Sequence, residues 1–513
     1  MPPPRIPKLS KKKKKAAEPT TASEFLDAGV DDEEHGDRWI DSGDIPKAIR
    51  FYQKAAGYYQ QAITMSRSND KTIRDDATYN FARMQYVVYT KVVKTGELDN
   101  LDLGRLGVPL DGSGIVPTGI SQVLQTQEHA LNEVGSNGIN GIPLDQLYTY
   151  GQVLAEAGEE TENVATVQRA AEVFQGILER QLVAISELEN EEFDDGEITT
   201  VENPQQADKT VALAAQEGVV PTSVVETITS LLDSLNTLLE LSRDDSTPFI
   251  LPQPPVPQCL EAVANTVRQL SQISTKYNGT SDQKTSFLAI PSRVLSDAHI
   301  AIAQILSTCS ESVECLVAIW TEPPSSPVLV EFLPKVLGPN ISRKPLGLPD
   351  TVHCALAAAD ALFGYAERPG ISADVRWTAY SRSLTILKTA WERVAAGATG
   401  YADADPAEKL QVLMARGDAE LLRASLQGLP AAEKHREVLR RNARNMYTSA
   451  DNLPLVASGV KLTGSSPEIL RMKREIHIKT ALLDGRTDDP VLQGVGAQRV
   501  LAAIREQGGL GLI

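Results

Sequence analysis

The sequence predicts an all-α fold, on three observations. Apolar residues recur at i, i+3 and i+4 along most of the chain, as in Val224, Ile228, Leu231, Leu235 and Leu238. No segment sustains the period-2 alternation of a half-buried strand, and no Asn-Gly turn joins two apolar runs. Of the 513 residues 42% are apolar but only 5% aromatic, with Ala, Leu and Val abundant, which suits helices packed at close range.

Residues 1–22 are expected to form a disordered tail. Lysine and proline dominate, and there is too little apolar surface to bury. Lys11, Lys12, Lys13, Lys14 and Lys15 form an unbroken run that resembles a nuclear-import signal. A solubilising tail is the other reading.

Residues 23–185 are expected to form helical hairpins. In Gly36 to Ala55, GDRWIDSGDIPKAIRFYQKA, small Gly36, Ala48 and Ala55 stand where two helices touch. Large Trp39 and Tyr52 fill the gap, and Gly43-Asp44 breaks the chain between the helices. Asp76 to Thr90 reads as the next helix, with Tyr79, Ala82 and Tyr86 alternating large, small and large. Gln122 to Val134 reads as a single helix between Gly- and Pro-rich stretches. Pro143 to Glu179 reads as another hairpin, turning at Gly158-Glu159, with Ala171, Phe174 and Ile177 on one face.

These spacings resemble the tetratricopeptide (TPR) repeat. In its 34-residue frame Gly36 takes position 8, Trp39 position 11, Ala48 position 20, Tyr52 position 24 and Ala55 position 27. The chain departs from the pattern at Asp32 and His35 and lacks the closing proline. The resemblance implies a stacked helical array that binds a protein or peptide. It also implies that residues at positions 5, 9 and 13 face the groove. Here these are Glu33, Asp37 and Asp41, where chaperone-tail-binding members carry Lys and Asn. An acidic chaperone tail is therefore not expected as a ligand, and a basic peptide is. The alternative is that the three carboxylates are merely solvated.

Residues 186–220 are expected to be an acidic linker. Its tract ELENEEFDDGE at 187–197 reads as a solvated loop or as a docking strip for a basic client. From 221 to 450 helices resume, capped first by Ser223 and Glu226, with Pro-rich loops at 247–258 and 322–349. Helices are expected at 259–276, 291–320, 350–366 and 373–396. The last carries the stripe Trp377, Tyr380, Leu384, Leu387, Trp391 and Val394. Arg416-Gly417-Asp418 is read as a turn repeating the Gly43-Asp44 punctuation. A helix follows at 431–450, and the region 451–513 adds helices near 466–483 and 496–506. Residues 221–513 either continue the solenoid or form a separate bundle.

A net charge of −17 opposes direct nucleic-acid or anionic-membrane binding. No apolar run approaches the roughly 18 residues of a membrane span. The four cysteines show no paired spacing, which points to a reducing compartment without a zinc site. The histidines are scattered, and no phosphate-binding loop or nucleophile motif occurs. No enzymatic activity and no cofactor are expected. The expected function is a protein-interaction adaptor of the nucleus and cytoplasm, in one version an escort for a basic client such as a ribosomal protein or histone. The alternative is a structural subunit of an RNA-processing or transport complex, with the C-terminal helical half as its interface.

Overall fold

The computed structural model describes residues 18–66, 70–95, 114–134, 141–191, 219–242, most of 290–337 and 348–398, 404–453 and 467–486, with shorter stretches between. Lys11 to Lys15, the linker from 192 to 218, the stretch 247–258 and nearly all of 496–506 lie outside the described residues.

Helix α1 (Ala22–Asp41) starts where Thr21 accepts the Glu24 N–H and Glu24 accepts the Thr21 N–H. Such a reciprocal cap is worth about 1 kcal/mol. The helix stops at Gly43, whose φ of +79° strains any residue with a Cβ. Asp44 then accepts the Lys47 N–H at 3.2 Å and opens α2 (Ile45–Met65). The framework residues are where the repeat pattern puts them. Ala48, Tyr52 and Ala55 are fully buried, and a Cβ on Gly36 would lie 2.6 Å from the Tyr52 ring. Gly29 stands in the same relation to Tyr59, at 2.5 Å. Trp39 is half-buried beneath the Lys47 ammonium, 3.2 Å from the ring centroid.

The array continues as α3 (Lys71–Val88), which runs into a π-helical turn at Tyr89–Val93, then α4 (Ile120–Val134), α5 (Leu144–Glu160) and α6 (Val164–Glu191). The α5–α6 turn falls at 161–163, after Gly158-Glu159. Glu162 takes a φ of 51°, and Asn163 accepts the Thr166 N–H at 3.1 Å. Gly158 is helical and lies where α6 crosses closely, so that a Cβ on it would come within 2.5 Å of Val167. Gly151 meets Phe174 in the manner of Gly36 and Tyr52, at 2.8 Å.

Helix α6 packs directly on α7 (Pro221–Leu241), so the stacking crosses the acidic linker. Ser223 is not the cap residue. It lies inside the first turn, where its hydroxyl accepts the Val220 N–H at 3.2 Å and donates to the Val220 carbonyl at 2.7 Å. Residues 265–270 are helical. The expected helix 291–320 is two, α8 (Ser292–Thr308) and α9 (Val313–Thr321). Ser312 breaks it by accepting the Cys315 N–H at 3.1 Å and capping the second. The expected loop 322–349 contains a helix, α10 (Pro327–Leu337). There Pro327 serves the first turn, and Leu329, Leu333 and Val336 are buried.

Then come α11 (Val352–Glu367), α12 (Ala373–Ala395), α13 (Pro406–Ser425), α14 (Pro430–Asp451) and α15 (Pro467–Leu483). Arg416-Gly417-Asp418 is not a turn but lies within α13. Gly417 is there because Tyr447 of α14 presses on it, 2.5 Å from where a Cβ would stand. Its counterpart is Gly36-Asp37, not Gly43-Asp44. The stripe on α12 buries Tyr380 and Leu387 and half-buries the rest. One antiparallel pair of two-residue strands, Val456–Ala457 with Val460–Lys461, is the exception to the all-α reading.

Packing follows chain order. Helices α1, α3, α5, α7, α8, α11, α13 and α15 touch in succession along one side. Helix α11 is apolar on nearly every side. Cys354, Ala357 and Ala358 join the core that begins at Ile142. Leu362, Tyr365 and Ala366 join the C-terminal core, and Val352, Ala355, Leu356 and Ala359 join a third with α12. Arg368, just past α11, donates to the carbonyls of Ser307, Thr308 and Ser310 and so closes the C-terminal end of α8.

Candidate acidic groove

The three acidic positions taken from the repeat pattern do not form one open patch. Glu33 is 3% exposed. It accepts the Tyr59 hydroxyl at 2.6 Å and pairs with Arg83 of α3 at 2.7 Å. Burial raises its pKa despite the Arg83 charge. Asp37 accepts the Tyr52 hydroxyl at 2.6 Å, and burial together with Asp37 pushes the Tyr52 hydroxyl far above its ordinary pKa. Only Asp41, exposed at the end of α1, has no such tie. Two of the three carboxylates therefore hold hairpins together.

The arrangement recurs with more space around it near the C-terminus. Tyr447, fully buried, donates its hydroxyl to Asp418 at 2.5 Å. Lys479 of α15, 2% exposed, bridges Asp418 and Glu475 at 2.7 Å each. In front of this cluster, between α11, α13 and α15, lies a cavity of about 630 Å³. Its floor is apolar, with Leu356, Phe363, Met414, Leu422 and Met472. Its polar walls are Asp360, Glu367, Asp418 and Glu475, faced by Arg471.

Lys479 bridges Asp418 and Glu475, and the three together keep one net negative charge. Asp360 and Glu367 carry no ion pair among the described residues. Asp360 keeps contact with solvent through the cavity, yet the protein around it pushes its pKa up to about 6. Burial is the largest cause, followed by the Asp418 charge, with His353 opposing. Burial likewise raises Glu367, against Arg376. Carboxylates with raised pKa values in a cleft mark a candidate functional site.

Carboxylates extend from this cavity along the same side of the array. Asp233 of α7 is also pushed up to about 6, by burial and then by Asp297 of α8 and Glu159 of α5. His353 of α11 contacts Asp297 at 3.2 Å, and this bond raises its pKa. Glu159, Asp233, Asp297, Asp360, Asp418 and Glu475 thus mark successive helices of one layer. The sequence carries one signal for this region. Gly417-Asp418 repeats Gly36-Asp37, and each aspartate meets a tyrosine of the following helix.

Comparison with known proteins adds little. No family model matches the chain. A stretch of 122 residues is 31% identical to a Saccharomyces cerevisiae protein described as uncharacterized, covering 24% of this chain and 21% of that one. The chain thus spans about a fifth of that relative's length. A solved circular tandem repeat protein with novel repeat topology and enhanced subunit contact surfaces aligns over 96% of this chain and 98% of its own, at 14% identity. Its TM-score of 0.26 is too low to carry an argument. Among the described residues no helix is long and apolar enough to cross a membrane. The helical array itself is compatible with a protein-interaction scaffold.

Proposed function

We propose that this chain is a non-enzymatic, TPR-like adaptor that escorts a basic protein client in the nucleus and cytoplasm. The single observation that carries the reading is the cavity between α11, α13 and α15, where Asp360, Glu367, Asp418 and Glu475 outnumber the one lining cation, Arg471. A carboxylate-rich cavity over an apolar floor suits a long cationic side chain from outside. The Gly36–Tyr52 and Gly417–Tyr447 contacts support the TPR-like assignment of the hairpins, and the Lys11–Lys15 run supports nuclear entry.

The test is affinity purification of the full chain at low and high salt, beside the double variant Asp360→Asn, Glu367→Gln. The expected result is a Lys/Arg-rich protein retained at low salt and lost at high salt or in the variant. Partners that ignore both salt and the variant would favour a structural subunit built on the C-terminal helices.

A further inference from the structure

We infer that this chain associates head to tail with a second copy of itself, the outer face of α1 packing antiparallel on the outer face of α14. The inference is independent of the basic-client reading.

The two helices carry opposite charge. Helix α1 has eight Asp or Glu against Arg38 alone, while α14 has five Lys or Arg against three Asp or Glu. Each turns one face to the array. Gly29, Gly36 and Ile40 are buried on α1, and Ala432, Leu439 and Ala443 on α14. Within one chain α1 rests on α2 and α3, and α14 on α13 and α15. The opposite faces are open. Asp27, Val30, Asp31 and Glu34 are exposed on α1, and Lys434, Glu437, Val438 and Arg441 on α14. Among the described residues neither Lys434 nor Arg441 holds an ion pair.

The valines set the register. Val30 is 38% exposed and Val438 44%, each within a polar stripe. A lone exposed valine is ordinary, so the weight falls on what flanks each one. Asp27 precedes Val30 by three residues, and Glu34 follows it by four. Lys434 precedes Val438 by four, and Arg441 follows it by three. Residues three and four apart share one helix face. The two orders are reversed, so they match when the helices run antiparallel. Val30 then meets Val438, Asp27 meets Arg441 and Glu34 meets Lys434. The two charged pairs stand roughly 10 Å apart along each axis, two turns at 1.5 Å per residue. Glu34 also pairs with Arg38 at 3.0 Å, but both side chains are exposed, and such a pair is readily exchanged. One mismatch remains in this register, Asp31 against Glu437.

The surface on α1 is not the surface on α14, so the contact is heterologous. Each copy keeps one free face of each kind, and growth continues beyond a dimer. One helix lying on another buries less than the roughly 1,200 Å² of a standard interface, so the association is weak and sensitive to salt.

The experiment is sedimentation velocity on the full chain from about 5 to 200 μM, at about 50 mM and about 500 mM NaCl. The weight-average sedimentation coefficient is expected to rise with concentration at low salt and to stay at the monomer value at high salt. Asp27→Lys with Glu34→Lys, or Lys434→Glu with Arg441→Glu, should each weaken association at least about tenfold. Mixing the two double variants should restore it. The lysines on α1 of one then meet the glutamates on α14 of the other, and the unaltered faces still match. A folding defect is not rescued by mixing, so the mixture separates a lost contact from a lost fold. Glu437→Lys turns the one repulsion into an attraction and should tighten association about threefold. A chain that stays monomeric across this range at low salt overturns the proposal and leaves the α14 face to an acidic partner. Self-association that ignores both double variants, or that mixing fails to restore, belongs to other surfaces and overturns it too. No gain from Glu437→Lys overturns the antiparallel register.

Discussion

The Tyr447 hydroxyl donates to Asp418 at 2.5 Å while the same ring lies over Gly417, the residue before that aspartate. One side chain therefore fixes both the distance and the rotation between α13 and α14. Gly417→Val is expected to destabilise the chain by about 1–3 kcal/mol through overpacking. Tyr447→Phe keeps the ring and loses the bond, at about 1 kcal/mol. Urea unfolding checks both. A neutral valine would show that the two helices can separate without loss.

Lys479 is a buried cation between Asp418 and Glu475. Burial opposes its charge, but the two carboxylates win and its pKa is raised. A cation held above its unfolded pKa stabilises the fold throughout the neutral range. That contribution is lost only as the pH climbs through the raised value. Lys479→Met leaves two carboxylates unmatched and should cost about 2–4 kcal/mol near pH 7. The variant should recover stability on acidification, where those carboxylates protonate. Thermal melts at pH 4.5 and 7.5 give the comparison.

Asp360 works in the other direction. Its folded pKa of about 6 exceeds the ordinary carboxylate value, so the folded chain holds the proton more tightly than the unfolded chain. Stability is full below the unfolded value, falls as the pH rises toward 6, and stays reduced above it. Asp360→Asn should therefore melt higher than the parent at pH 7.5 and equally near pH 4. The gain should be about 1 kcal/mol at most, because the side chain keeps contact with solvent. Affinity for a basic peptide should weaken as the pH drops through 6. Asp418 and His353 act on Asp360, and Glu367, Glu475 and Arg471 line the same cavity. An affinity flat from pH 5 to 7.5 would remove Asp360 from the site.

The described cysteines are expected to be inert. Burial pushes the Cys354 thiol up to about 12 and raises Cys315, and Cys309 is also buried. The thiolate is the reactive form, so a disulfide reagent at pH 8 should label these three only after unfolding. Fast labelling of Cys354 in the native chain, located by mass spectrometry, would contradict the packing of α11.

How much of the fold is legible in the sequence depends on local chemistry. Helices come through wherever apolar spacing runs unbroken, as in α7 and α12. The α1–α2 hairpin comes through because Gly36, Tyr52 and Gly43 each have a local steric reason to be there. Errors fall where one residue type serves two purposes. Gly417 and Gly158 suggest turns because glycine marks turns, yet Gly417 sits mid-helix and Gly158 in the last turn of α5, each under a partner from the next helix. Proline near 322–349 suggests a loop, yet Pro327 opens α10. Ser312 splits α8 from α9 through a single cap bond that periodicity does not register.

The groove is legible only in outline. Reading Glu33 as an open carboxylate fails because its partners, Tyr59 and Arg83, lie far off in sequence, and Asp37, though exposed, accepts a bond from the equally distant Tyr52. The cavity residues come from three helices spread from Leu356 to Glu475, and no local pattern joins them. What the sequence does carry is the repetition of Gly-Asp, whose meaning emerges only once each aspartate is seen to meet a tyrosine.

Helix α11 lends its faces to three cores, and Arg368 behind it closes the end of α8. In a simple stack, each unit leans only on its neighbours, and the ends can fray one at a time. Here a single sixteen-residue helix is common property of both halves. Melting it exposes the middle of the chain and the C-terminal core together. The region from α8 to α15 should therefore exchange its amide protons as one block, and shortening the chain at α11 should be far more damaging than shortening it at either end.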